Sequence, residues 1–509
     1  MVRMMALIAT VGAACGAAGQ GVVELPKAPR TQSLGVCAWG PKGDAVLVCQ
    51  RGEYVQRPDG TQGYLLSAYF VVDAATGKAT PLCRAHECSW TPDGRLLARG
   101  YAPFDVKDVE ALTFHPAEHG NRAVCTLLER DGRLAGELAT RAIECVPSPD
   151  GERFLMSQEL AGRNNYTCLK KLVVEALGGK ATTVLPPIAE GPGRLVGFRY
   201  GARWLAPDRF RAEVVDMAAA DAAGAMPGLW LNVTPDWYDY SLAKGAWEKL
   251  AGEALEDARA DRYPLGAGGE VLVKPGRIDV LAGGRRSTLA WPEAKAMRLA
   301  VRAASADGLR LLVSVEEPEI GKGGEGFGGA PGGAPQPAAV QPGYFTLDIA
   351  RGAKTRVDLK PRAIWNSNFS VCSYLEDGAL LVIADDSPAA TVDEATGRLA
   401  PLDVPGFPWK KFIITKWATP ARDSYGRGQA MGGTRVAVLA RQGRFVKTPH
   451  AIAVLRGRAA AGCLAVLQGF ALGERCFLHW VPDGSALLVT SNDGTKLWLT
   501  RAVPGSGHL

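Results

Sequence analysis

Two histidines form the most recognisable chemical pattern in the sequence. They lie in the string His115-Pro116-Ala117-Glu118-His119, which follows the H-x-x-E-H order of a zinc site. That chemistry requires a helix that places both imidazoles on one face, with the glutamate as base. A proline inside the string opposes such a helix. We therefore predict a polar loop without a metal ion, and His115 and His119 are the candidate ligands if a metal is bound.

A glycine-rich segment matches a phosphate-binding loop in spacing only. The run reads Gly321-Lys322-Gly323-Gly324-Glu325-Gly326. A dinucleotide-binding loop also needs a strand before it and a helix after it. Here residues 321–343 contain nine glycines and four prolines in 23 residues, a composition that cannot bury a core. We predict a disordered surface insertion and no bound cofactor.

The sequence offers little support for a hydrolase or lyase site. It contains no G-x-S-x-G string, which marks the nucleophile elbow of many serine hydrolases. Six histidines in 509 residues leave few candidates for a histidine-rich site. We therefore expect a protein without enzymatic activity, and we name no catalytic residue.

Aromatic and basic residues are interleaved over residues 405–428. Exposed residues of these types could stack on sugar rings and pair with an anionic polymer. A strand with its aromatic residues in the core and its lysines in solvent would show the same pattern, and this alternative stays open. The candidate binding residues are Trp409, Lys410, Lys411, Trp417 and Arg422.

A repeated phrase organises the chain. It reads Trp480-Val481-Pro482-Asp483-Gly484 near the C-terminus and recurs at residues 90–94 and 147–151. Proline suits the second position of a β-turn, and glycine takes the position with positive φ. A short apolar run follows each copy, as in a buried strand, so each copy predicts a hairpin. Weaker copies begin at residues 39, 204, 304 and 374.

A second phrase follows several copies of the first. It reads Val71-Val72-Asp73-Ala74-Ala75-Thr76-Gly77-Lys78 and returns at residues 391–398, with looser versions at 173–180 and 347–352. This phrase predicts another strand, turn and strand. Two hairpins in each unit of roughly 40–60 residues make a four-stranded antiparallel blade, and such repetition is typical of a β-propeller.

The two phrases resemble the repeats of the TolB-like, WD40-like β-propeller family. That family includes TolB and the propeller domains of dipeptidyl-peptidase-type enzymes, and its phrases read Trp-Ser-Pro-Asp-Gly and Asp before a Thr-Gly turn. The resemblance implies an all-β propeller of four-stranded antiparallel blades over residues 34–503. Seven blades are predicted, with eight or six as alternatives. Residues 20–33 are a lead-in that could supply a closing strand.

The N-terminus indicates export. Residues 1–19 read as a secretory signal peptide, because Arg3 precedes a short apolar stretch and small residues follow. We expect a periplasmic or secreted protein, with lipoprotein anchoring through Cys15 as the less favoured alternative. The many cysteines suit an oxidising compartment and at least one disulfide. The candidate pairs are Cys37–Cys49 and Cys83–Cys88.

The composition is that of an ordinary globular protein. Charged residues make up 22% of the chain and hydrophobic residues 47%, with a formal net charge of +6. No segment of the mature chain reaches transmembrane length. With the resemblance, these features predict a non-enzymatic scaffold in the cell envelope that binds a protein, peptide or other ligand. The alternative is an enzyme acting on a polysaccharide or other anionic polymer, and a nucleic-acid partner is not expected.

Overall fold

The chain forms two compact units, which we describe separately. The N-terminal unit comprises Val23–Ala258 and Asp493–Thr495, and the C-terminal unit comprises Met1–Val22, Arg259–Asn492 and Lys496–Leu509. For some strand residues only the backbone is described. A computed structural model of the chain describes residues 21–56, 62–108, 113–114, 123–161, 169–189, 194–198, 202–218, 236–265, 268–317, 340–358, 371–383, 390–402, 412–418, 435–442, 450–455, 457, 461–464, 476–481, 484, 486–491 and 496–501.

In its described residues, the first half of the chain is built from short strands followed by the helix α1 (Gly252–Arg259). The strands are β1 (Gly21–Glu24), β2 (Thr31–Trp39), β3 (Ala45–Gly52), β4 (Tyr54–Gln56), β5 (Gln62–Leu65), β6 (Ser67–Asp73), β7 (Ala79–Ala85), β8 (Glu87–Trp90), β9 (Leu96–Arg99), β10 (Ala102–Pro103), β11 (Thr113–Phe114), β12 (Cys125–Leu128), β13 (Leu134–Glu137), β14 (Glu144–Pro147), β15 (Arg153–Ala161), β16 (Leu169–Ala176), β17 (Thr182–Val184), β18 (Arg194–Phe198), β19 (Arg203–Ala206), β20 (Arg209–Ala218), β21 (Asp236–Ser241) and β22 (Ala246–Lys249).

Antiparallel meanders form the sheets of the N-terminal unit. In the first, β2, β3, β6 and β7 are neighbours in that order, and β10 extends the edge at β7. The second contains β8, β9, β12 and β13. Two further meanders, β14–β17 and β19–β22, are joined through β18, which pairs with both β16 and β20. A small sheet of β4, β5 and β11 accompanies them.

The second half of the chain continues the same pattern, with a 3₁₀ turn at Pro292–Ala294. Its sheets are formed by β23–β26, β27–β30, β31–β34 and β35–β38, and β39, β40 and β41 form a last sheet whose edge strand is β1. The strands are β23 (Asp261–Pro264), β24 (Gly269–Lys274), β25 (Arg277–Ala282), β26 (Arg285–Ala290), β27 (Arg298–Ala304), β28 (Arg310–Glu316), β29 (Gly343–Asp348), β30 (Ala353–Val357), β31 (Val371–Tyr374), β32 (Leu380–Ile383), β33 (Ala390–Val392), β34 (Leu399–Pro401), β35 (Phe412–Ala418), β36 (Val436–Gln442), β37 (His450–Leu455), β38 (Ala461–Leu464), β39 (Leu478–Trp480), β40 (Ala486–Thr490) and β41 (Lys496–Arg501).

The repeated phrases lie at hairpin turns. Every copy of the first phrase joins the first and second strands of a meander, and every copy of the second joins the third and fourth. In the copy at 90–94, the Thr91 hydroxyl donates to Asp93 Oδ1 at 2.5 Å, and the Gly94 N–H donates to the Thr91 carbonyl at 3.0 Å. The predicted fold class, an all-β propeller of four-stranded antiparallel blades, is confirmed. The number of blades stays a prediction.

Short and long connections leave opposite ends of the sheets in the N-terminal unit. The turns from first to second strands and from third to fourth strands contain two to five residues. The connections from second to third strands are longer and cover residues 53–66, 100–124, 162–168 and 219–235. Since neighbouring strands are antiparallel, first and third strands begin at the end where these connections leave. We call this end of the sheets the long-connection end. Long surface connections often carry binding residues.

The sheets are held by aliphatic strands that are buried along most of their length. In β3 every residue except Arg51 is buried, and in β28 burial is continuous from Leu311 to Glu316. Such runs of β-branched and aliphatic residues suit central strands that are covered on both faces. Among the residues that the structure describes, no helix has the length and apolar character needed to cross a membrane.

Two glycines at the same position of the second phrase provide a matched pair of substitutions. Gly352 and Gly397 have φ values of +67° and +72°. A Cβ on Gly352 would meet nothing within 4 Å, whereas one on Gly397 would lie 1.8 Å from the carbonyl oxygen of Arg356. We expect Gly352→Ala to lower the free energy of unfolding by about 1–2 kcal/mol through the left-handed backbone alone. Gly397→Ala should lower the free energy of unfolding by about 1–3 kcal/mol more than Gly352→Ala, because of steric overlap. Urea unfolding measures both, and equal losses would contradict the steric argument.

Candidate functional site

A glutamate begins the first strand in two meanders of the N-terminal unit. The first is Glu87, at the start of β8, which faces Arg99 at the end of β9. The Glu87 carboxylate accepts a hydrogen bond from Arg99 Nη2 at 2.8 Å. The glutamate side chain is 64% exposed and the arginine side chain only 24%. The carboxylate therefore lies toward solvent and its cation lies behind it.

The second glutamate repeats this arrangement with a lysine. Glu144, at the start of β14, lies 2.5 Å from Lys170 Nζ and accepts a hydrogen bond from the Ser157 hydroxyl at 3.1 Å. The Glu144 side chain is 54% exposed, whereas that of Lys170 is 4% exposed. Ser157 is buried, so its hydroxyl supports the carboxylate and does not face the surface. Here too an exposed carboxylate is held by a less exposed cation.

Arg99 connects the two glutamates. Besides its ion pair with Glu87, it donates a hydrogen bond from Nη1 to the carbonyl oxygen of Ile143, the residue before Glu144. Arg99 thus pairs with Glu87 and contacts the backbone beside Glu144, and both glutamates lie at the long-connection end. We call Glu87 and Glu144 the carboxylate pair. Because its two negative groups are more exposed than their cations, the surface presents negative charge to a ligand.

Two thiols lie directly beside this arginine. Cys125, at the start of β12, faces Arg99 in the strand register and is fully buried. Its thiol hydrogen-bonds to that of Cys145, the residue after Glu144. This hydrogen bond, with a smaller contribution from the Arg99 charge, lowers the pKa of Cys125. The same hydrogen bond and burial raise the pKa of Cys145. All the described cysteines are free thiols, so the predicted disulfides are not formed in this structure.

The arrangement can bind a cation but is not set up for acid–base catalysis. An ammonium or guanidinium group beside Glu87 or Glu144 would receive a charge-assisted hydrogen bond from that carboxylate. Each carboxylate is already engaged by a cation or hydroxyl of the chain, so neither is free to act as a base. The geometry therefore favours recognition of a positively charged group.

The sequence contains a signal for these residues that the motif-based predictions missed. Glu87 and Glu144 both lie three residues before the start of a copy of the first phrase, and each is followed by a cysteine. A repeated Glu-Cys pair at a fixed distance from a turn places both side chains at the same end of successive sheets. No comparable sequence pattern marks Lys170 or Arg99, and only the pairing of the strands shows that they contact these glutamates.

The residues predicted from sequence to form a site lie almost entirely outside the described part of the chain. This holds for His115, His119, Trp409–Lys411 and Arg422. Trp417 lies in β35, where its backbone faces Val438, but its side chain is outside the description. These assignments stay predictions, as do the leader at 1–19 and most of the insertion at 321–343.

Comparison with known proteins concerns the fold. No family model matches the chain, and no curated protein matches it. Among solved structures, the chain is similar to the tricorn protease, with 12% identity, a TM-score of 0.25, and coverage of 89% of this chain and 42% of that one. It is also similar to a structure from a study of two prolyl endopeptidases, with 11% identity, a TM-score of 0.32, and coverage of 71% and 55%. A third is the β-propeller domain of the trilobed protease from Pyrococcus furiosus, with 11% identity, a TM-score of 0.29, and coverage of 65% and 100%.

These comparisons correct the predicted function. The chain spans about half the length of the first two of these structures, 42% and 55%. At such identities the likeness is one of fold, and it agrees with the predicted resemblance to propeller domains of peptidases. The named activities are peptidase activities, so the prediction of a non-enzymatic binding scaffold is wrong, while the periplasmic or secreted location stays a prediction. The alternative, an enzyme acting on a polysaccharide, is equally unsupported.

Proposed function

We propose that this chain acts in peptide processing, as a β-propeller that holds the positively charged end of a peptide for cleavage. The observation that carries the proposal is the carboxylate pair, in which two exposed glutamates begin first strands of successive meanders and each is held by a less exposed cation. A peptide supplies the matching group as its α-ammonium or as a basic side chain. The solved structures named above belong to peptidases, and we propose a related role for this chain.

The electrostatics of the pair suit a ligand that arrives from solvent. Lys170 and Arg99 fix the two carboxylates from behind, so little side-chain freedom is lost when an ammonium binds. A hydrogen bond to a charged group contributes about 1.5–3 kcal/mol. Such a bond gives selectivity for a charged amine over an acylated one, because an amide has no positive charge to offer.

The proposal assigns binding, not cleavage, to this surface. Ser157, which donates to Glu144, and Cys125, which faces Arg99, are both buried. Neither is exposed to an approaching peptide bond. The long second-to-third-strand connections leave the sheets at this same end.

The proposal predicts that affinity for a free amino group depends on both glutamates. A suitable probe is a short peptide amide of glycine and alanine, used with a free amino group and in N-acetylated form. We expect Glu87→Gln and Glu144→Gln each to weaken binding of the free peptide by roughly tenfold or more, from the loss of one charged hydrogen bond. Isothermal titration calorimetry with the full chain measures this.

A matched control has the same change of charge at the other end of the sheet. Asp131 forms an exposed ion pair with Arg133 in the turn between β12 and β13, at 2.7 Å, so Asp131→Asn should leave peptide binding unchanged. Equal affinity for the free and acetylated peptides, or normal binding by both glutamine variants, would overturn the proposal.

A further inference from the structure

Three cysteines occupy one position in successive repeats. Cys37, Cys88 and Cys145 each lie in a first strand, two residues before the start of a copy of the first phrase. Each has a second cysteine within hydrogen-bond reach. The thiol pairs are Cys37–Cys49, Cys83–Cys88 and Cys125–Cys145.

The first two pairs share one buried layer between sheets. Cys49, Cys83 and Cys88 belong to one apolar cluster, and Cys37 packs against it. In the strand register Cys49 faces Tyr69, which in turn faces Cys83 on the next strand. The Tyr69 hydroxyl donates to the carbonyl oxygen of His86 at 3.2 Å, which ties this row to the strand that carries Cys88.

The third pair has the same construction in the next layer. Cys125 belongs to an apolar cluster against which Cys145 packs. Cys125 is fully buried, whereas Cys145 is half-buried. Cys145 is therefore the more exposed residue of this pair.

The spacing of the sulfur atoms favours pairs over a metal centre. Tetrahedral thiolate sites bring three or four sulfurs around one ion at about 2.3 Å each. Within the part of the chain that the structure describes, no three cysteine sulfurs lie within 4.8 Å of one another. The thiol contacts are two by two, which favours disulfides over a shared metal ion.

We propose that Cys37–Cys49, Cys83–Cys88 and Cys125–Cys145 are three disulfide sites, which close by exchange with a low-molecular-weight disulfide. In each site one thiolate attacks the small disulfide, forms a mixed disulfide and releases one small thiol. The second cysteine then attacks the mixed disulfide and releases the second small thiol. Each protein bond thus removes two hydrogen atoms from the chain, and the two released thiols carry them away.

The environment of each pair sets the order of its steps. Cys37 and Cys145 are the more accessible members, so the mixed disulfide forms there. Their partners Cys49 and Cys125 complete the bond, since hydrogen bonds from Cys37 and Cys145 lower the pKa of these two thiols. Cys83 and Cys88 are both buried, so their bond should form last.

The test is disulfide mapping of the full chain. Reduced protein is equilibrated with oxidised glutathione, remaining thiols are alkylated after denaturation, and a non-reduced digest is analysed by mass spectrometry. We expect peptides linked at the three pairs, while Cys372 and Cys476 are alkylated. Oxidation should also raise the urea midpoint of unfolding relative to the reduced protein.

Two serine variants separate the proposal from non-specific oxidation. Cys145→Ser should leave Cys125 alkylated and the other two bonds intact, with a smaller rise of the urea midpoint. Cys372→Ser should leave all three bonds unchanged. Thiols that stay free in excess oxidised glutathione, links between other cysteines, or a stoichiometric zinc ion that protects these cysteines without bonds would each overturn the proposal. Peptide binding by the carboxylate pair is measured separately, so the two proposals can fail independently.

Discussion

Lowering the pH from 7 to 4.5 should reduce the free energy of unfolding by about 2.7 kcal/mol through His479 alone. The reduction is about 1.36 kcal/mol for each pH unit below the pKa of this histidine in the unfolded chain. His479 is buried in β39, and its Nε2 has no hydrogen-bond partner among the described residues. Burial lowers the pKa of His479 from 6.5 to about 3. The folded chain therefore keeps the imidazole neutral, while the unfolded chain binds a proton below pH 6.5. The contribution of this buried neutral imidazole to folding stability is complete above pH 6.5 and is lost as the pH falls toward 3.

The variant His479→Leu isolates this effect, because leucine is apolar and does not titrate. Urea unfolding at pH 7, 5.5 and 4.5 should show a shallower pH dependence for the variant than for the wild type. His479→Gln provides a second non-titrating side chain in case leucine packs poorly. An unchanged slope in both variants would show that the imidazole is hydrated or paired in the folded protein.

Asp239→Ala should lower the free energy of unfolding by about 3–5 kcal/mol, the usual result of stranding one member of a buried ion pair. Asp239 is buried in β21 and faces Arg211 across the strands. Arg211 donates to both carboxylate oxygens, at 2.6 and 3.1 Å, and Arg209 donates at 2.7 Å. Burial alone would raise the pKa of Asp239, but hydrogen bonds from Arg211 and Arg209 outweigh it and lower the pKa. Urea unfolding at neutral pH measures the loss.

Two further variants test the cause. Asp236 lies on the same strand and forms an exposed pair with Lys249 at 2.6 Å, so Asp236→Ala should change stability little. The double variant Asp239→Leu with Arg211→Leu removes the buried carboxylate and the largely buried guanidinium that binds it, and should be more stable than Asp239→Ala. A double variant as unstable as the single one would mean that the loss comes from packing and not from an unpaired guanidinium.

The two proposals meet at one arginine. Arg99 pairs with Glu87, contacts the backbone before Glu144 and lies beside the Cys125 thiol. Closing Cys125–Cys145 would link the third strand of one meander to the first strand of the next. Such a bond would restrain the separation of the two glutamates, so peptide affinity measured in reduced and oxidised protein reports whether the two features act together.

The sequence by itself determined the local structure. A proline, an aspartate and a glycine in order specify a tight turn, and the apolar run after them specifies a strand, because both depend on neighbouring residues only. The copies at residues 90–94 and 147–151 therefore predicted their hairpins and, through repetition, the four-stranded blade. No local pattern of this kind supported the predicted function, and the comparison with solved structures corrected it.

Only the tertiary structure decided which polar side chains meet and which side of each faces solvent. Glu144 and Lys170 are far apart in sequence and come together because β14, β15 and β16 are neighbouring strands. The same register places Cys125 beside Arg99. A carboxylate at a strand start is an ordinary solvated group until a buried cation fixes it, and burial is a property of the packed sheets. Turns are encoded by adjacent residues, whereas the carboxylate pair and the thiol pairs depend on contacts that form only when the strands assemble.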